Sequence, residues 1–434
     1  MPKDLLIRGG RIIDPAQDID KTANLLVKSG KIDWLGDGAP PAEDYDILDA
    51  GGLIVCPGFI DLHCHLRQPG YEEKETIATG TQAAARGGFT AVCCMPNTNP
   101  PLDNESMLNY VRTVAAREGV VRVFPIGCIT LGRKGEEPAD WNEMEMNGAV
   151  AFSDDGNPVS NPEIMKRALE YSRDFNRPII DHCQDLALTQ GGQVNEGVVS
   201  LEMGLRGMPA AAEELMVKRD ITLAKEIGGH IHIAHVSTEG SVELIRAAKE
   251  EGVHVTAEVT PHHLTLTEEN VLKYGTLAKV NPPLRTKRDA IALLRALNDS
   301  VIDIVATDHA PHTKEDKACV FSQAAFGISG LETALGSLVT LILKSELNLN
   351  NMIAALTMGP ARVLGYEKLG TMETGAPADI CIFDLHKEWA VDTDKFGSKG
   401  KNTPLAGQKL KGKVMATLYM GRVVFIEEGM RIEG

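Results

Sequence analysis

The sequence has no run of apolar residues long enough to cross a membrane, and its start, MPKDLLIRGGRI, lacks the continuous apolar core of a signal peptide. No run of Lys or Arg stands out, and 60 acidic residues against 44 basic ones give a net charge of −16. Such a charge repels phosphate backbones, which argues against nucleic acid as a partner. We therefore expect a cytoplasmic protein that binds neither membranes nor nucleic acid.

Cysteine pairs of the C-x-x-C type are also absent among the eight cysteines. Several of these cysteines lie in apolar runs that are typical of buried strands, so reduced thiols are the simplest interpretation. Cys64 stands between two histidines, but strand alternation directs it to the opposite face. A packing role is therefore expected for Cys64.

Both ends of the 434-residue chain carry short strand patterns with turn residues between them. Near the N-terminus, residues 5–14 surround Gly9-Gly10 and residues 23–35 surround Ser29-Gly30. Near the C-terminus, residues 378–383 and 414–426 are strand-like, and a hairpin like that expected at Gly9-Gly10 is predicted at Met420-Gly421. The sequence predicts one small β domain built from residues 1–53 and 365–434.

Between these ends, apolar runs typical of strands alternate with helical patterns, which indicates a parallel sheet. The runs cover residues 54–62, 91–95, 121–128, 150–152, 178–181, 230–236, 253–259 and 302–306. The clearest helical patterns cover residues 163–174, 211–227, 242–251 and 287–297. Eight such units predict an α/β fold with a (β/α)₈ TIM-like barrel over residues 54–364. Periodicity alone leaves a doubly wound sheet open as the alternative.

Side chains that bind metals stand where the predicted strands end, and in a barrel these ends share one face. They are His63, His65, Asp155, His182, His235 and Asp308. Two residues apart on a strand, His63 and His65 project to the same side and can bind one ion. Imidazole and carboxylate ligands suit zinc. The alternative for each residue is a buried hydrogen bond in a strand-end loop. For His262-His263 we expect loop packing or hydrogen bonding rather than metal binding.

The pair His230-x-His232 has the same spacing but lies at the beginning of a predicted strand, away from the expected active face. The pair His63-x-His65, in contrast, sits in PGFIDLHCHLRQPG. That stretch resembles the signature of the amidohydrolase superfamily and, through Arg67 to Gly70, of the dihydroorotase family in particular. Further stretches that resemble the family follow in family order over essentially the whole chain: MPNT, DDG, DHC, HVS, VNPPLR and ATDHAPH.

The resemblance implies a set of metal ligands and a reaction. His63, His65 and Asp308 would bind one zinc ion, His182 and His235 a second, and Asp155 would bridge the two. The implied reaction is the reversible cyclisation of N-carbamoyl-L-aspartate to L-dihydroorotate with loss of water, the third step of pyrimidine biosynthesis. Two zinc ions would activate the water, and Asp308 would be the catalytic residue that moves its proton.

A cyclic ureide that bears a carboxylate needs a cation, and the planar fork of Arg67 matches a carboxylate in a bidentate manner. By resemblance, Asn97, Asn281 and His312 complete the substrate pocket, and Phe326-Gly327 offers backbone hydrogen bonds to the substrate ring. The alternatives are a surface salt bridge for Arg67, turn stabilisation by the two asparagines, and a plain loop-to-helix turn at Phe326-Gly327.

Hydantoinases and allantoinases share this pattern but typically carry a carboxylated lysine as the metal bridge. Residues 148–156 contain no lysine. Of the two adjacent carboxylates there, Asp155 rather than Asp154 is expected to be the ligand, because the family places it 27 residues before the histidine at position 182. A non-catalytic scaffold homologue would have lost metal ligands, whereas all are present here. A homodimer and an association with aspartate transcarbamoylase are further expectations.

Overall fold

The computed structural model describes residues 4–41 and 44–433. Its strands are β1 (Asp4–Asp14), β2 (Ile19–Lys28), β3 (Lys31–Gly36), β4 (Tyr45–Asp49), β5 (Ile54–Pro57), β6 (Phe59–Cys64), β7 (Phe89–Cys94), β8 (Arg122–Pro125), β9 (Phe152–Ser153), β10 (Ile179–Asp181), β11 (Val194–Asn195), β12 (Gly207–Met208), β13 (Ile231–Ile233), β14 (Val255–Val259), β15 (Ile304–Val305), β16 (Ile380–Ala390), β17 (Lys409–Tyr419), β18 (Arg422–Ile426) and β19 (Ile432–Glu433).

The α-helices are α1 (Ile77–Arg86), α2 (Glu105–Glu118), α3 (Trp141–Met146), α4 (Pro162–Phe175), α5 (Leu186–Thr189), α6 (Val198–Met203), α7 (Ala211–Ile227), α8 (Glu239–Glu250), α9 (Pro261–Thr265), α10 (Glu269–Tyr274), α11 (Lys287–Asn298), α12 (Lys314–Lys317), α13 (Ala334–Leu343), α14 (Leu349–Leu356) and α15 (Met358–Val363). The four predicted helical patterns correspond to α4, α7, α8 and α11. Among residues 4–41 and 44–433, no helix combines the length and apolar character that a membrane span needs.

Eight parallel strands form a closed barrel. The strands β6, β7 and β8 make one sheet, and β9, β10, β13, β14 and β15 make the other. Single bridges join the two sheets at Gly127 with Phe152 and at Cys64 with His309, so that the ring has no open edge. The predicted (β/α)₈ barrel is confirmed, and the doubly wound alternative is wrong because an open sheet would not close in this way.

The barrel strands are apolar because side chains on both of their faces are covered. Every residue of β6 and β7 is buried. Each of the eight predicted runs overlaps an observed barrel strand, but the interpretation of the first run as one strand is wrong. It divides at Gly58, where a Cβ atom would lie 2.2 Å from Oγ1 of Thr90. The part before Gly58, β5, pairs with β1 and β16, and the part after it begins the barrel.

Strands from both ends of the chain form a separate sheet outside the barrel, as predicted, and we call it the terminal sheet. Its order is β18-β17-β16-β5-β1-β2-β3, with β4 beside β1 and β19 beside β4. Turns at Ser29-Gly30 and at Met420-Gly421 connect neighbouring antiparallel strands. The expected hairpin at Gly9-Gly10 is wrong, because β1 runs through it with a bulge and pairs with β2 on either side. The domain boundaries at 53/54 and 364/365 stay predictions.

Phe59, at the start of the first barrel strand, links the barrel to the terminal sheet. Its ring centroid lies 5.6 Å from that of Phe89 in the barrel and 6.3 Å from that of Phe383 in the terminal sheet. All three side chains belong to one apolar cluster and are 0% exposed. The barrel and the terminal sheet therefore share a core.

Replacing Phe59 by alanine should lower the free energy of unfolding by about 3 to 5 kcal/mol, because the cavity would open at this junction. Urea denaturation followed by circular dichroism measures the change. The matched control is Leu201→Ala, since Leu201 is 83% exposed, and it should change stability by less than about 0.5 kcal/mol. Equal stability of the two variants would contradict the shared core.

Candidate active site

A cavity of about 240 Å³ opens at the carboxyl ends of the barrel strands. Its size suits a small molecule. Every predicted site residue except His63 lines this cavity, and His63 is fully buried behind it. Another cavity, of about 340 Å³, lies at the opposite end of the barrel beside His230 and contains none of the predicted residues. The structure thus brings together side chains that are far apart in the sequence.

The first group of predicted metal ligands is His63, His65 and Asp308. Nε2 of His65 lies 2.9 Å from Oδ1 of Asp308, and Nε2 of His63 lies 3.7 Å from the same oxygen. One potential ligand atom from each residue falls within 4.8 Å of the others. Such spacing allows all three atoms to bind one ion.

The carboxylate of Asp155 stands between this group and the second pair of histidines. Its Oδ1 lies 3.4 Å from Nε2 of His63, 3.7 Å from Nε2 of His235 and 3.8 Å from Nδ1 of His182. Its Oδ2 lies 3.7 Å from Nε2 of His65. The facing nitrogens of His182 and His235 are 2.8 Å apart. Asp155 is therefore placed to contact both groups.

Three buried atoms in this cluster have no hydrogen-bond partner among the described residues, Nε2 of His63, Oδ1 of Asp155 and Nδ1 of His235. Buried polar atoms are almost always satisfied, and a cation bound between His63 and Asp155 would satisfy the two atoms that face each other there at 3.4 Å. Electrostatics agree with a cation. Burial lowers the pKa of His63, but the carboxylates of Asp155 and Glu258 outweigh burial and raise it well above its ordinary value. The residues present fit a metal site.

Glu258 is a functional residue that the sequence analysis missed. Its Oε1 accepts from Nδ1 of His63 at 2.6 Å and from the backbone N–H of His235 at 3.1 Å. Its Oε2 lies 3.1 Å from Nε2 of His232. Burial raises its pKa, but His63 and His232 outweigh burial and lower the pKa to about 2. An ionised Glu258 therefore holds the proton of His63 on Nδ1 and leaves Nε2 free for a metal.

The neighbouring carboxylates Asp154 and Asp155 point in different directions. Oδ1 of Asp154 accepts from the backbone N–H groups of Ile129 at 2.9 Å and Thr130 at 3.0 Å. Burial raises the pKa of Asp154 to about 6. Asp154 therefore stabilises the preceding loop, while Asp155 faces the cavity.

Gln184 is a second residue that the sequence analysis missed. Its Oε1 lies 2.7 Å from Nε2 of His182 and accepts from Nδ2 of Asn281 at 2.8 Å. A proton on Nε2 of His182 leaves Nδ1 as the free nitrogen, on the side of His235 and Asp155. Gln184 lies two residues after His182, so the strand end supplies both the ligand and the group that orients it.

Arg67 reaches the cavity from the loop after β6 and is only partly buried. Its Nε donates to the backbone oxygen of Pro311 at 3.3 Å, and its Nη2 lies 3.4 Å from Nε2 of His312. Within residues 4–41 and 44–433, no carboxylate lies within ion-pair distance of Arg67, so the surface salt bridge weighed above is wrong. The guanidinium keeps donors that are free for an anion.

Asn97 lines the cavity but is already engaged. Its Oδ1 lies 2.9 Å from Nδ1 of His65, and its Nδ2 donates to Oδ2 of Asp155 at 3.4 Å. Asn97 therefore orients His65 in the same manner as Glu258 orients His63. Its expected contact with a substrate remains a prediction.

The Phe326-Gly327 turn closes one side of the cavity. Gly327 has φ +135°, and a Cβ atom there would lie 2.6 Å from Cβ of Ala310, so the position requires glycine. The N–H of Gly327 donates to the oxygen of Lys279 at 2.9 Å, and the oxygen of Phe326 lies 2.8 Å from Nε2 of His312. The oxygen of Gly327 accepts from Nδ2 of Asn402 at 3.1 Å. The backbone hydrogen bonds expected between this turn and a substrate ring stay a prediction.

The other histidines and Cys64 lie outside the cavity. Nδ1 of His263 lies 2.8 Å from Oγ1 of Thr260, and its Nε2 lies 3.0 Å from the oxygen of Pro282. Sγ of Cys64 contacts the oxygen of Cys93 in the next strand at 3.3 Å. Hydrogen bonding for His263 and packing for Cys64 agree with the expectations from the sequence.

Solved structures with the same architecture define the class of protein. The L-hydantoinase (dihydropyrimidinase) of Arthrobacter aurescens superposes with a TM-score of 0.90 over 100% of this chain and 98% of that one, at 26% identity. A D-hydantoinase from a Thermus species superposes with a TM-score of 0.81 over 99% of this chain and 97% of that one, at 22% identity, which shows the fold alone. The barrel, the terminal sheet and the histidine and carboxylate cluster define an amidohydrolase, a metal-dependent class of enzyme.

Sequence relatives narrow this class. A family model described as Dihydro-orotase-like matches residues 52–241. The dihydroorotase of Pelotomaculum thermopropionicum is 51% identical over 428 residues, 98% of this chain and 100% of that protein. The dihydroorotase of Thermoanaerobacter sp. (strain X514) is 49% identical over 422 residues, 97% of each chain. The chain belongs to the dihydroorotase family.

Replacing Glu258 by glutamine should weaken metal binding, measured with added zinc, by about 10- to 100-fold, because an amide cannot accept all three of the hydrogen bonds that Glu258 accepts. Competition with a chromophoric chelator measures the affinity, and circular dichroism verifies the fold. Glu202→Gln, at an exposed position, is the control and should bind zinc as the unaltered protein does. Unchanged affinity in the Glu258 variant would remove this residue from metal binding.

Proposed function

We propose that this chain catalyses the reversible cyclisation of N-carbamoyl-L-aspartate to L-dihydroorotate, as its relatives' name implies. The observation that carries this proposal is the Arg67 guanidinium, which has no carboxylate partner among the described residues and lines the same cavity as the histidine and carboxylate cluster. A carboxylate-bearing cyclic ureide supplies both the anion for Arg67 and a carbonyl group for the cluster.

Two zinc ions are proposed as the cofactor. His63, His65 and Asp308 would hold one ion, His182 and His235 the other, and Asp155 would contact both. When bound, zinc polarises a carbonyl group and lowers the pKa of water toward ~7. The donor set of imidazole nitrogens and carboxylate oxygens suits this metal.

Asp308 is the proposed proton carrier. Burial raises its pKa, but the close contact with His65 and the nearby His63 outweigh burial and hold the pKa below its usual range. In hydrolysis, Asp308 accepts a proton from the attacking water and returns it to the ring nitrogen as the bond between that nitrogen and the carbonyl carbon breaks. Ring closure runs the same steps backwards, so it starts from a protonated Asp308.

A hydantoinase activity is the second candidate, because the L-hydantoinase of Arthrobacter aurescens has the same architecture. Hydantoin lacks a carboxylate for Arg67, and residues 148–156 contain no lysine that could be carboxylated. Both features favour dihydroorotate. A homodimer, an association with aspartate transcarbamoylase and a cytoplasmic location stay predictions.

Turnover of dihydroorotate, allantoin and hydantoin, measured side by side, tests the proposal. Dihydroorotate should be preferred, and Arg67→Met should lower kcat/KM on it by the equivalent of about 2 to 5 kcal/mol, because a charge-assisted contact to the substrate is lost. Zinc content should not change.

Arg295→Met is the control, since Arg295 is exposed on α11, and its kinetics should match those of the unaltered enzyme. Normal turnover of dihydroorotate by the Arg67 variant would overturn the assignment of Arg67. A preference for hydantoin would overturn the proposed reaction.

Metal removal tests the bridge. The stripped enzyme should regain activity with zinc alone in buffer free of carbon dioxide, because no lysine needs to be carboxylated. Asp155→Asn should bind less zinc per chain by mass spectrometry, whereas Asp154→Asn should bind the normal amount, because its side-chain oxygen can still accept from Ile129 and Thr130. A requirement for bicarbonate, or zinc loss in the Asp154 variant alone, would reverse this assignment.

A further inference from the structure

Two lysines beside the cavity are buried, which is unusual for this residue type. Lys279 is 2% exposed and Lys317 is 4% exposed. Among the described residues, neither ammonium has a carboxylate within ion-pair distance. A buried charge without a counter-ion is costly unless hydrogen bonds replace its hydration. The burial of these two lysines is therefore explained only if hydrogen-bond acceptors surround each ammonium group.

Each ammonium group uses all three of its donors. Nζ of Lys279 donates to Oε1 of Gln193 at 2.6 Å and to the backbone oxygens of Phe321 and Ala324 at 2.7 Å each. Nζ of Lys317 donates to the backbone oxygens of Ala325 at 2.7 Å, Thr276 at 3.0 Å and Lys279 at 3.2 Å. Five of these six acceptors are backbone carbonyls, so the lysines fix the path of the chain.

Those carbonyls belong to two segments that both reach the cavity. The first, residues 275–281, ends in Asn281, and the second, residues 313–328, contains Phe326 and Gly327. Lys279 lies on the first segment and donates to two carbonyl oxygens of the second. Lys317 lies on the second segment and donates to two carbonyl oxygens of the first and to one of its own segment. The N–H of Gly327 adds a direct hydrogen bond to the oxygen of Lys279 at 2.9 Å.

The ring of Phe326 is part of the same arrangement. Nζ of Lys279 lies 4.3 Å from its centroid, within the range of a cation–π contact. The oxygen of Phe326 contacts His312, which in turn lies beside Arg67. A shift of the 313–328 segment would therefore move the wall of the cavity next to Arg67.

We propose that Lys279 and Lys317 are positioning residues that clamp the 313–328 segment to the 275–281 segment and so shape the substrate-binding wall of the cavity. The proposal rests on the proposed function for its kinetic consequence, but not for the clamp itself. Both lysines lie outside the metal cluster, so loosening the clamp should weaken substrate binding more than the chemical step.

The test replaces Lys317 by methionine, which keeps the length of the side chain but removes its donors. KM for dihydroorotate should rise about tenfold, while kcat changes by less than about threefold. Zinc content should stay unchanged. Amide hydrogen exchange should become faster in residues 318–328 and stay slow in the barrel strands. Lys314→Met, at an exposed position of the same short helix, is the matched control and should change none of these.

A milder variant keeps the test decisive if Lys317→Met does not fold. Thr276→Val removes only the hydrogen bond from Oγ1 of Thr276 to the oxygen of Lys317, which is 2.7 Å long. Its KM should rise by about two- to fivefold with the same local increase in exchange. Unchanged exchange in residues 318–328 would overturn the clamp, and so would a fall in kcat at constant KM. If the unaltered enzyme does not act on dihydroorotate, the proposed function fails while the exchange data still decide on the clamp.

Discussion

The hydrogen bond between Glu258 and His63 is the contact on which the arrangement of the site depends. It is 2.6 Å long, and both side chains are completely buried. The same carboxylate receives the backbone N–H of His235 and faces His232, so one residue of β14 fixes groups on β6 and on β13 and the turn after it. An ionised carboxylate can only accept hydrogen bonds, so it determines which nitrogen of His63 carries the proton.

The hydrogen bonds of Glu258 continue along the barrel through His232. Nε2 of His232 faces Glu258, and Nδ1 of the same ring lies 2.8 Å from Oγ1 of Thr256. Oγ1 of Thr256 also lies 2.7 Å from Nε2 of His230. These contacts form a continuous chain from Glu258 through His232 and Thr256 to His230. The His230-x-His232 pair, which the sequence analysis placed away from the active face, therefore supports that face from below.

The backbone at the site is held in costly conformations. Arg67, His235 and Asp308 have φ of 59°, 32° and 44°, in the region that residues other than glycine rarely adopt. Such residues persist only when the surroundings over-determine them. Here each follows a buried barrel strand, and the strand ends force a sharp change of direction that aims the side chain into the cavity.

Much of this fold could be predicted from the sequence. Barrel strands are covered on both faces, so they read as continuous apolar runs, and ligand types at their ends mark the active face. The division of the first run at Gly58 was not predicted, because an apolar run does not indicate which sheet each of its residues joins. The role of Glu258 was not predicted, because a lone carboxylate within a strand is usually expected to face solvent. The role of Lys279 was not predicted either, because the carbonyl groups that allow a lysine to be buried come together only in the folded chain.

The connection between β16 and β17 also supports the site. Asn402 lies in this connection, and its Nδ2 donates to the oxygens of Ala310 at 3.0 Å and Gly327 at 3.1 Å. Its Oδ1 accepts from the backbone N–H of His312 at 2.9 Å. One amide from the end of the chain thus ties down the two loops beside Arg67. Asp61 ties the other side of the barrel closure, because its Oδ1 accepts from the backbone N–H of Thr307 at 2.8 Å. The arrangement of the site therefore depends on residues as far apart in the sequence as Asp61 and Asn402.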